Sequence, residues 1–119
     1  MNPRPTHKEL SKKLKHAILL ARSGAVVILA PEVILADAMN LGYSFGEDFP
    51  VILQELLNLA TPENYVGSRP PAKSYETAIK GAELFAFVIR SAFFRGLDVY
   101  FKFALYNDML VVISLHEDR

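Results

Sequence analysis

The last quarter of the chain alternates polar and apolar residues with a period of two. Asp98, Tyr100 and Lys102 occupy one set of alternate positions. Apolar residues fill the other set: Val99, Phe101, Phe103 and Leu105. Because successive side chains of a strand point to opposite faces of a sheet, the pattern predicts a buried aromatic face and a polar face. The polar face is either a solvated sheet surface or an active surface.

Strand-like runs fill residues 83–119. They are separated by two short connections, Arg95-Gly96 and Asn107-Asp108. The runs are 83–94, 97–105 and 109–116. Connections this short predict an antiparallel meander of three strands. His116 then brings a titratable imidazole to the end of the last strand.

Residues 1–60 have the spacing of helices instead. Thr6 and Glu9 are separated as in a capping box, and the apolar residues after them recur at helical intervals until Gly24. Proline is well placed in the first turn of a helix, and glycine near its end. The remaining predicted elements are a short apolar piece at 26–30, a helix over 32–40 that follows Pro31 and ends near Gly42, and a third helix over about 46–59.

The order of these elements predicts the fold class. Residues 61–82 carry several prolines and predict a loop followed by a short helical piece. Helices followed by strands favour an α+β fold, with the N-terminal helices packed on a small antiparallel C-terminal sheet. The chain has 119 residues, of which 51% are hydrophobic, and this is enough for one core. We therefore expect a single domain, 1–119.

The composition excludes several classes of site. The chain has no cysteine, so it has no disulfides, thiolate nucleophiles or zinc sites built on sulfur. His7 and His16 have no partner at metal-ligand spacing, so we expect neither a metal nor a cofactor. We find no secretion signal and no apolar run long enough to span a bilayer, which predicts a cytoplasmic protein without membrane contact.

Charge is distributed unevenly along the chain although the formal net charge is zero. No Lys or Arg occurs in 23–68, whereas basic residues are frequent before and after it. Lys8, Lys12 and Lys15 repeat along the first helix, which fits either a grip on a nucleic-acid backbone or an ordinary solvated helix face. A basic end suits phosphates, and the acidic middle suits a basic partner.

The long loop carries a second cluster of candidate binding residues. Tyr65, Arg69 and Lys73 combine a stacking group with phosphate-compatible cations, and they have no obvious packing task in a loop. Loops often carry functional residues, although an ordinary surface loop is the alternative interpretation.

These motifs, taken together, resemble one known family. Residues 98–102 (Asp-Val-Tyr-Phe-Lys), 107–112 and 114–117 are similar to the end of the motility quorum-sensing regulator family of toxins. That family ends with an acid-Val-Tyr-Leu-Lys strand, an Asp-Val-Leu-Ile-Val strand and a Ser-Phe-Lys-Glu tail. Three upstream segments resemble the same family in the same order: 5–7 before the lysine-rich helix, 35–42, and 59–65.

The resemblance implies a RelE-like fold and a toxin of a type II toxin–antitoxin system. Such a toxin is an mRNA endoribonuclease that inhibits translation without a metal, acts on single-stranded mRNA, in some cases on the ribosome, and is held inactive by a cognate antitoxin protein. The family's catalytic tyrosine falls on Tyr100, and its last catalytic lysine falls near His116. Its loop lysine falls on Val66, and its Trp-Gln pair has no counterpart at Phe85, Ala86 and Phe87.

Metal-free RNA cleavage needs a base for the 2′-hydroxyl proton, cations for the phosphate and an acid for the leaving oxygen. Histidine suits the base or the acid because its unperturbed pKa is about 6.5. We expect His116, Tyr100, Lys102 and Arg90 to be catalytic. Whether Arg90 joins the face of the other three depends on the strand pairing. The expected RNA-binding residues are Tyr65, Arg69, Lys73 and Arg95.

Each candidate also has an ordinary structural interpretation. A histidine at a strand end is often a surface residue, and Lys102 with Asp98 is an ordinary surface ion pair. A second hypothesis is therefore a noncatalytic α+β module that binds another protein. Val88, Phe93 and Phe94 favour it, because the run that contains them has apolar residues on both faces.

Overall fold

The computed structural model describes residues 4–41 and 49–118, apart from the side chains of Leu35, Ala38 and Phe93. The helices are α1 (His7–Arg22), α2 (Pro31–Asn40) and α3 (Phe49–Leu59). The strands are β1 (Val26–Ile28), β2 (Phe85–Arg90), β3 (Asp98–Tyr106) and β4 (Met109–Glu117). Short 3₁₀ turns occur at Pro62–Asn64, Thr77–Ile79 and Ala92–Phe94.

The described part of the chain is an α+β fold with helices on a small sheet, as the sequence predicted. Strands β2, β3 and β4 form the predicted antiparallel meander. The short apolar piece before α2 adds a fourth strand, β1, which pairs parallel to β4 with Val26 opposite Leu110. The strand order is β1-β4-β3-β2, so the sheet is mixed.

The α1 helix begins as its sequence predicts. The Thr6 side chain accepts a hydrogen bond from the Glu9 backbone N–H at 3.1 Å, which caps the helix. Leu10, Leu14 and Ala17 then lie on one buried face. The expected end of α2 at Gly42 and the expected start of α3 at 46–48 lie outside the described residues.

The main core lies between the helices and the apolar face of the sheet. The α1 and α3 helices contribute leucines and isoleucines, and the sheet contributes its aromatic residues. Members with relative exposure of 2% or less include Leu10, Ile52, Leu56, Phe85, Phe87, Phe101 and Phe103. Burying one such side chain stabilises the fold by about 1.5 to 3 kcal/mol. The core therefore fixes which face of β3 points away from the helices.

The face of the sheet that is turned away from the main core is divided into two halves by a β-bulge. Lys102 lies opposite Ser114, but Phe103 lies opposite Val112, so Ile113 is an extra residue in β4. Beyond the bulge, Ala104 and Val111 are buried in a second apolar cluster.

Residues 72–84 cover the half of this face that contains Ala104 and Val111. We call these residues the covering segment. Ile79 and Ala82 from this segment are buried against Ala104 and Val111. The segment folds back on itself, since the Ser74 N–H donates to the Ala82 carbonyl at 2.8 Å. In the half before the bulge, four polar side chains stay partly exposed: Tyr100, Lys102, Ser114 and His116.

The strand-like run at 83–94 is shorter in the structure than in the prediction. The β2 strand ends at Arg90, and a 3₁₀ turn follows that places Phe94 in the core with 1% exposure. The turn accounts for Phe94, which is not on a strand, whereas Val88 remains on β2 opposite Tyr100. None of the helices in the described residues combines the length and apolarity needed to cross a membrane.

Candidate active site on the open half of the sheet

The polar face predicted from the alternation lies on the side of the sheet opposite to α1 and α3. We call it the open face. Its members come from three adjacent strands: Arg90, Asp98, Tyr100, Lys102, Ser114 and His116. Register places Tyr100 opposite His116, Lys102 opposite Ser114 and Arg90 opposite Asp98. The pairing therefore brings all four predicted catalytic residues to one face.

Tyr100 and His116 form a stacked pair across β3 and β4. Their ring centroids are 5.1 Å apart, and the ring planes differ by 15°. Directly opposite residues on neighbouring strands are spaced so that aromatic rings can make this contact. The stack restrains both side chains, and it places a phenol and an imidazole at one point on the open face.

A backbone contact sets the tautomer of His116. Its Nδ1 lies 2.9 Å from the Glu117 carbonyl oxygen. A carbonyl oxygen can only accept, so Nδ1 must carry the proton and donate it. In the neutral ring the lone pair is then on Nε2, which is the nitrogen able to act as a base.

The phenol of Tyr100 is kept protonated by its surroundings. Burial in the sheet raises the pKa of Tyr100 above its ordinary value of 10.0, and the negative charge of Asp118 raises it further. Tyr100 is therefore a hydrogen-bond donor at neutral pH.

The two cations of the open face differ in their pairing. Arg90 and Asp98 form a two-point ion pair, with Nε to Oδ1 at 2.7 Å and Nη2 to Oδ2 at 3.0 Å. This pairing raises the pKa of Arg90 and compensates its charge. Lys102 makes no ion pair with any described residue. Lys102 is therefore the better placed of the two to meet a phosphate.

An open depression of about 370 Å³ adjoins His116 at the end of β4. Besides His116, the depression is lined by three carboxylates: Asp37 of α2, Glu117 and Asp118. An anion is repelled from this side, so the Lys102 side is the favourable approach for a phosphodiester.

Tyr65, which we expected to bind RNA, lies in the core. It is 8% exposed, packs edge-on against Phe87 at 5.7 Å, and donates its hydroxyl to the Ser68 carbonyl. Burial also raises its pKa. A Cβ at Gly67 would lie 2.6 Å from the Tyr65 hydroxyl oxygen, so glycine leaves room for the ring. The ring therefore has no free face for a nucleobase.

Two of the other three expected RNA-binding residues, Arg69 and Arg95, bind backbone carbonyls. The guanidinium of Arg69 lies 5.0 Å from the Tyr65 ring centroid and donates to the Pro5 carbonyl at 2.7 Å. Arg95 donates to the Leu41 carbonyl at 2.9 Å, just beyond α2. Both side chains therefore hold backbone segments together. Lys73 is exposed on the covering segment.

The sequence interpretation gave no role to two further residues, Ser114 and Tyr75. Ser114 lies opposite Lys102 and two residues before His116, so its hydroxyl shares their face. Tyr75 is 94% exposed on the covering segment. The alternation along the last strand signals Ser114, whereas the exposure of Tyr75 has no signal in the sequence. In the described residues, no group of three or more His, Cys, Asp or Glu side chains is arranged to hold a metal ion.

Comparison with known proteins adds no family to this geometry, since the chain matches no protein-family model and no curated protein.

Proposed function

We propose that the protein is a metal-independent endoribonuclease of the RelE-like toxin type, with its active site on the open face. The observation that carries this proposal is the Tyr100–His116 stack, in which a base and a proton donor are held 5.1 Å apart beside Lys102. The resemblance of the terminal hairpin to the motility quorum-sensing regulator family supports the same activity. By that resemblance the substrate is single-stranded mRNA, the partner is a cognate antitoxin protein, and the compartment is the cytoplasm.

The residues can divide the reaction between them. His116 Nε2 takes the proton of the ribose 2′-hydroxyl, and the 2′-oxygen attacks the adjacent phosphorus. Lys102 stabilises the charge that develops on the phosphate oxygens. Tyr100 gives its phenolic proton to the 5′-oxygen as the P–O5′ bond breaks. The products are a 2′,3′-cyclic phosphate and a 5′-hydroxyl.

The same pair of rings can restore the starting state. After cleavage His116 is an imidazolium and Tyr100 is a phenolate. A proton passes from the imidazolium to the phenolate through water, so no other proton source is needed. Arg90 stays paired with Asp98 at the edge of the site, so Lys102 is the cation of the open face that carries the phosphate role.

The decisive experiment is incubation of the purified protein with a long single-stranded RNA in EDTA. We compare the wild type with His116→Gln, Tyr100→Phe and Lys102→Gln. Each group contributes a factor of about 10² or more in such reactions, so each variant is expected to cleave at least about 100-fold more slowly. The 3′ ends of the products are expected to be cyclic phosphates.

The chain offers matched controls for two of these changes. His16→Gln changes an exposed histidine on α1, and Tyr106→Phe changes a tyrosine of β3 on the covered half of the sheet. Both variants are expected to cleave like the wild type. Equal cleavage by the wild type and by all three site variants would reject the assignment of the site.

Intact RNA with the wild type, both in EDTA alone and in a translating extract, would favour the noncatalytic interaction module. The structure removes one reason for that alternative, because Phe94 is buried in the core. Val88 is half-buried, opposite Tyr100.

A further inference from the structure

Tyr75 is an aromatic residue with no packing role in the described structure. Its side chain is 94% exposed, whereas the other tyrosines of the described residues are half-buried or buried. Tyr75 belongs to the covering segment, which lies on the same face of the sheet as Tyr100 and His116. The segment packs over Ala104 and Val111, so it begins where the open face ends along β3.

The backbone on both sides of Tyr75 is firmly held. Ser74 is 6% exposed, and its N–H and carbonyl bond to Ala82 and Gly81 at 2.8 and 2.9 Å. The Ser74 hydroxyl oxygen accepts a hydrogen bond from the Glu76 N–H at 3.0 Å. The ring of Tyr75 therefore projects into solvent from a fixed position, which lowers the entropy cost of binding a planar ligand.

Two cations accompany the ring on the covering segment. Lys73 and Lys80 are exposed, and neither makes an ion pair with a described residue. An exposed aromatic ring with cations on the same segment is the combination that binds single-stranded nucleic acid, by base stacking and phosphate contacts.

We propose that Tyr75 stacks on a base of the single-stranded RNA at the open face, with Lys73 and Lys80 contacting its phosphates. The inference rests on the proposed function in one respect, which is that the ligand is RNA. The covering segment packs over Ala104, four residues from Tyr100, and this corresponds to about 13 Å along the strand. In this arrangement Tyr75 stacks on a nucleotide outside the reacting pair.

The sequence contains no tryptophan, which permits a direct test. Tyr75→Trp introduces a single indole at the proposed stacking position. It is combined with His116→Gln so that the RNA stays intact, and the protein is titrated with single-stranded oligoadenylate. Stacking of adenine on the indole is expected to quench the fluorescence in a saturable manner.

The matched control is Leu19→Trp, also combined with His116→Gln. Leu19 is 63% exposed on α1, and two cations, Lys15 and Arg22, lie beside it. Its indole is expected to show no saturable quenching. Quenching at Leu19→Trp without quenching at Tyr75→Trp would overturn the inference and assign the RNA to α1.

Affinity gives a second readout. In the same His116→Gln background, Tyr75→Ala is expected to weaken oligoadenylate binding by about 10-fold, and Tyr75→Phe to keep it, because stacking needs only the ring. Unchanged affinity in Tyr75→Ala, or no binding by any variant, would overturn the inference.

Cleavage assays on proteins that keep His116 distinguish a failure of this inference from a failure of the proposed function. Cleavage that depends on His116, with a Tyr75→Ala variant that binds RNA normally, rejects only the role of Tyr75. Quenching and weaker binding at Tyr75 without any cleavage by the wild type support the RNA contact and reject the nuclease.

Discussion

Tyr65 and Tyr100 show how the position of one side chain decides its role. Both tyrosines have a raised pKa because of burial, and both contact an aromatic ring. The Tyr65 ring packs against Phe87 within the core, whereas the Tyr100 ring stacks on His116 at the open face. The Tyr65 ring is 8% exposed, whereas the Tyr100 ring is partly exposed on the face that carries the proposed site.

Tyr65 therefore has a structural role that can be measured. Tyr65→Phe keeps the ring but removes the hydroxyl bond to Ser68, and is expected to lower the free energy of unfolding by about 1 kcal/mol. Tyr65→Leu also loses the aromatic contact and is expected to lower it further. Urea denaturation measures both changes. While folded, Tyr65→Leu is expected to cleave RNA at the wild-type rate.

The control for this prediction is Tyr75→Phe, which removes an exposed hydroxyl and is expected to leave the unfolding free energy unchanged. A Tyr65→Leu protein that is as stable as the wild type but has lost cleavage would return Tyr65 to the group of RNA-binding residues.

The residues of the site differ in how well the sequence predicts them. Tyr100 and Lys102 were assigned to one face because alternation is a local property of a strand. The place of Arg90 could not be assigned, because it depends on register with β3. The burial of Tyr65 could not be foreseen either, since it depends on a bridge between this residue and Phe87 of a distant strand.

Among the elements, the turn between β3 and β4 is the one the sequence describes most completely. Tyr106 pairs with Met109, and the two residues between them have positive φ values, 51° at Asn107 and 56° at Asp108. Two successive positive φ values define a type I′ turn, which favours Asn followed by Gly. Asp108 is tolerated at the second position but is not the best residue there.

Asp108→Gly is therefore expected to stabilise the protein. Glycine avoids the steric cost of a positive φ, and the entropy that it loses on folding offsets part of the gain, so we expect about 0.5 kcal/mol. Asp108→Ala is the control and is expected to destabilise the turn. Urea denaturation measures both, and a less stable glycine variant would contradict this interpretation of the turn.

Other elements were harder to predict. Three residues suffice for β1, because Val26 and its neighbours pair with β4, which is more than 80 residues away in sequence. So short a piece has no periodicity of its own. The bulge at Ile113 likewise depends on pairing, yet it decides where the open face ends.

At the scale of the molecule, the two faces of the sheet separate the charged groups. The α1 helix packs on the core face, so its exposed Lys8, Lys12 and Lys15 lie on the side away from Tyr100 and His116. The proposed site and the helix that carries these lysines therefore lie on opposite faces of the sheet. A solvated helix face is sufficient to explain these lysines. The net charge of the whole chain is zero, but it does not describe the local charge at the proposed site.

An ion-pair cluster joins the N-terminal segment, α1 and the residues before β2. Arg4 binds Glu9 of α1 at 2.6 Å and Glu83 at 3.0 Å. Hydrogen bonding to Arg4 holds the pKa of Glu9 below its ordinary value of 4.5. We therefore expect low pH to weaken this cluster and so to destabilise the contact between the helix layer and the sheet layer.

The sign of that effect follows from proton linkage. Between the folded and the unfolded pKa of Glu9, the unfolded chain binds more protons, so stability rises with pH. The stabilisation from Glu9 is fully present above pH 4.5 and is lost as the pH falls through the lower folded value. Glu9→Gln removes this titration. Its free energy of unfolding is expected to decrease less than that of the wild type as the pH is lowered from neutral to acid.

Urea denaturation at a series of pH values measures the difference. Glu76→Gln is the control, because Glu76 is exposed and makes no ion pair with a described residue, and it is expected to follow the wild-type curve. Arg4→Gln is expected to behave like Glu9→Gln, since it removes the partner that lowers the pKa of Glu9. If Arg4→Gln keeps the wild-type pH dependence, the pairing does not link the N-terminal segment to the two layers in solution.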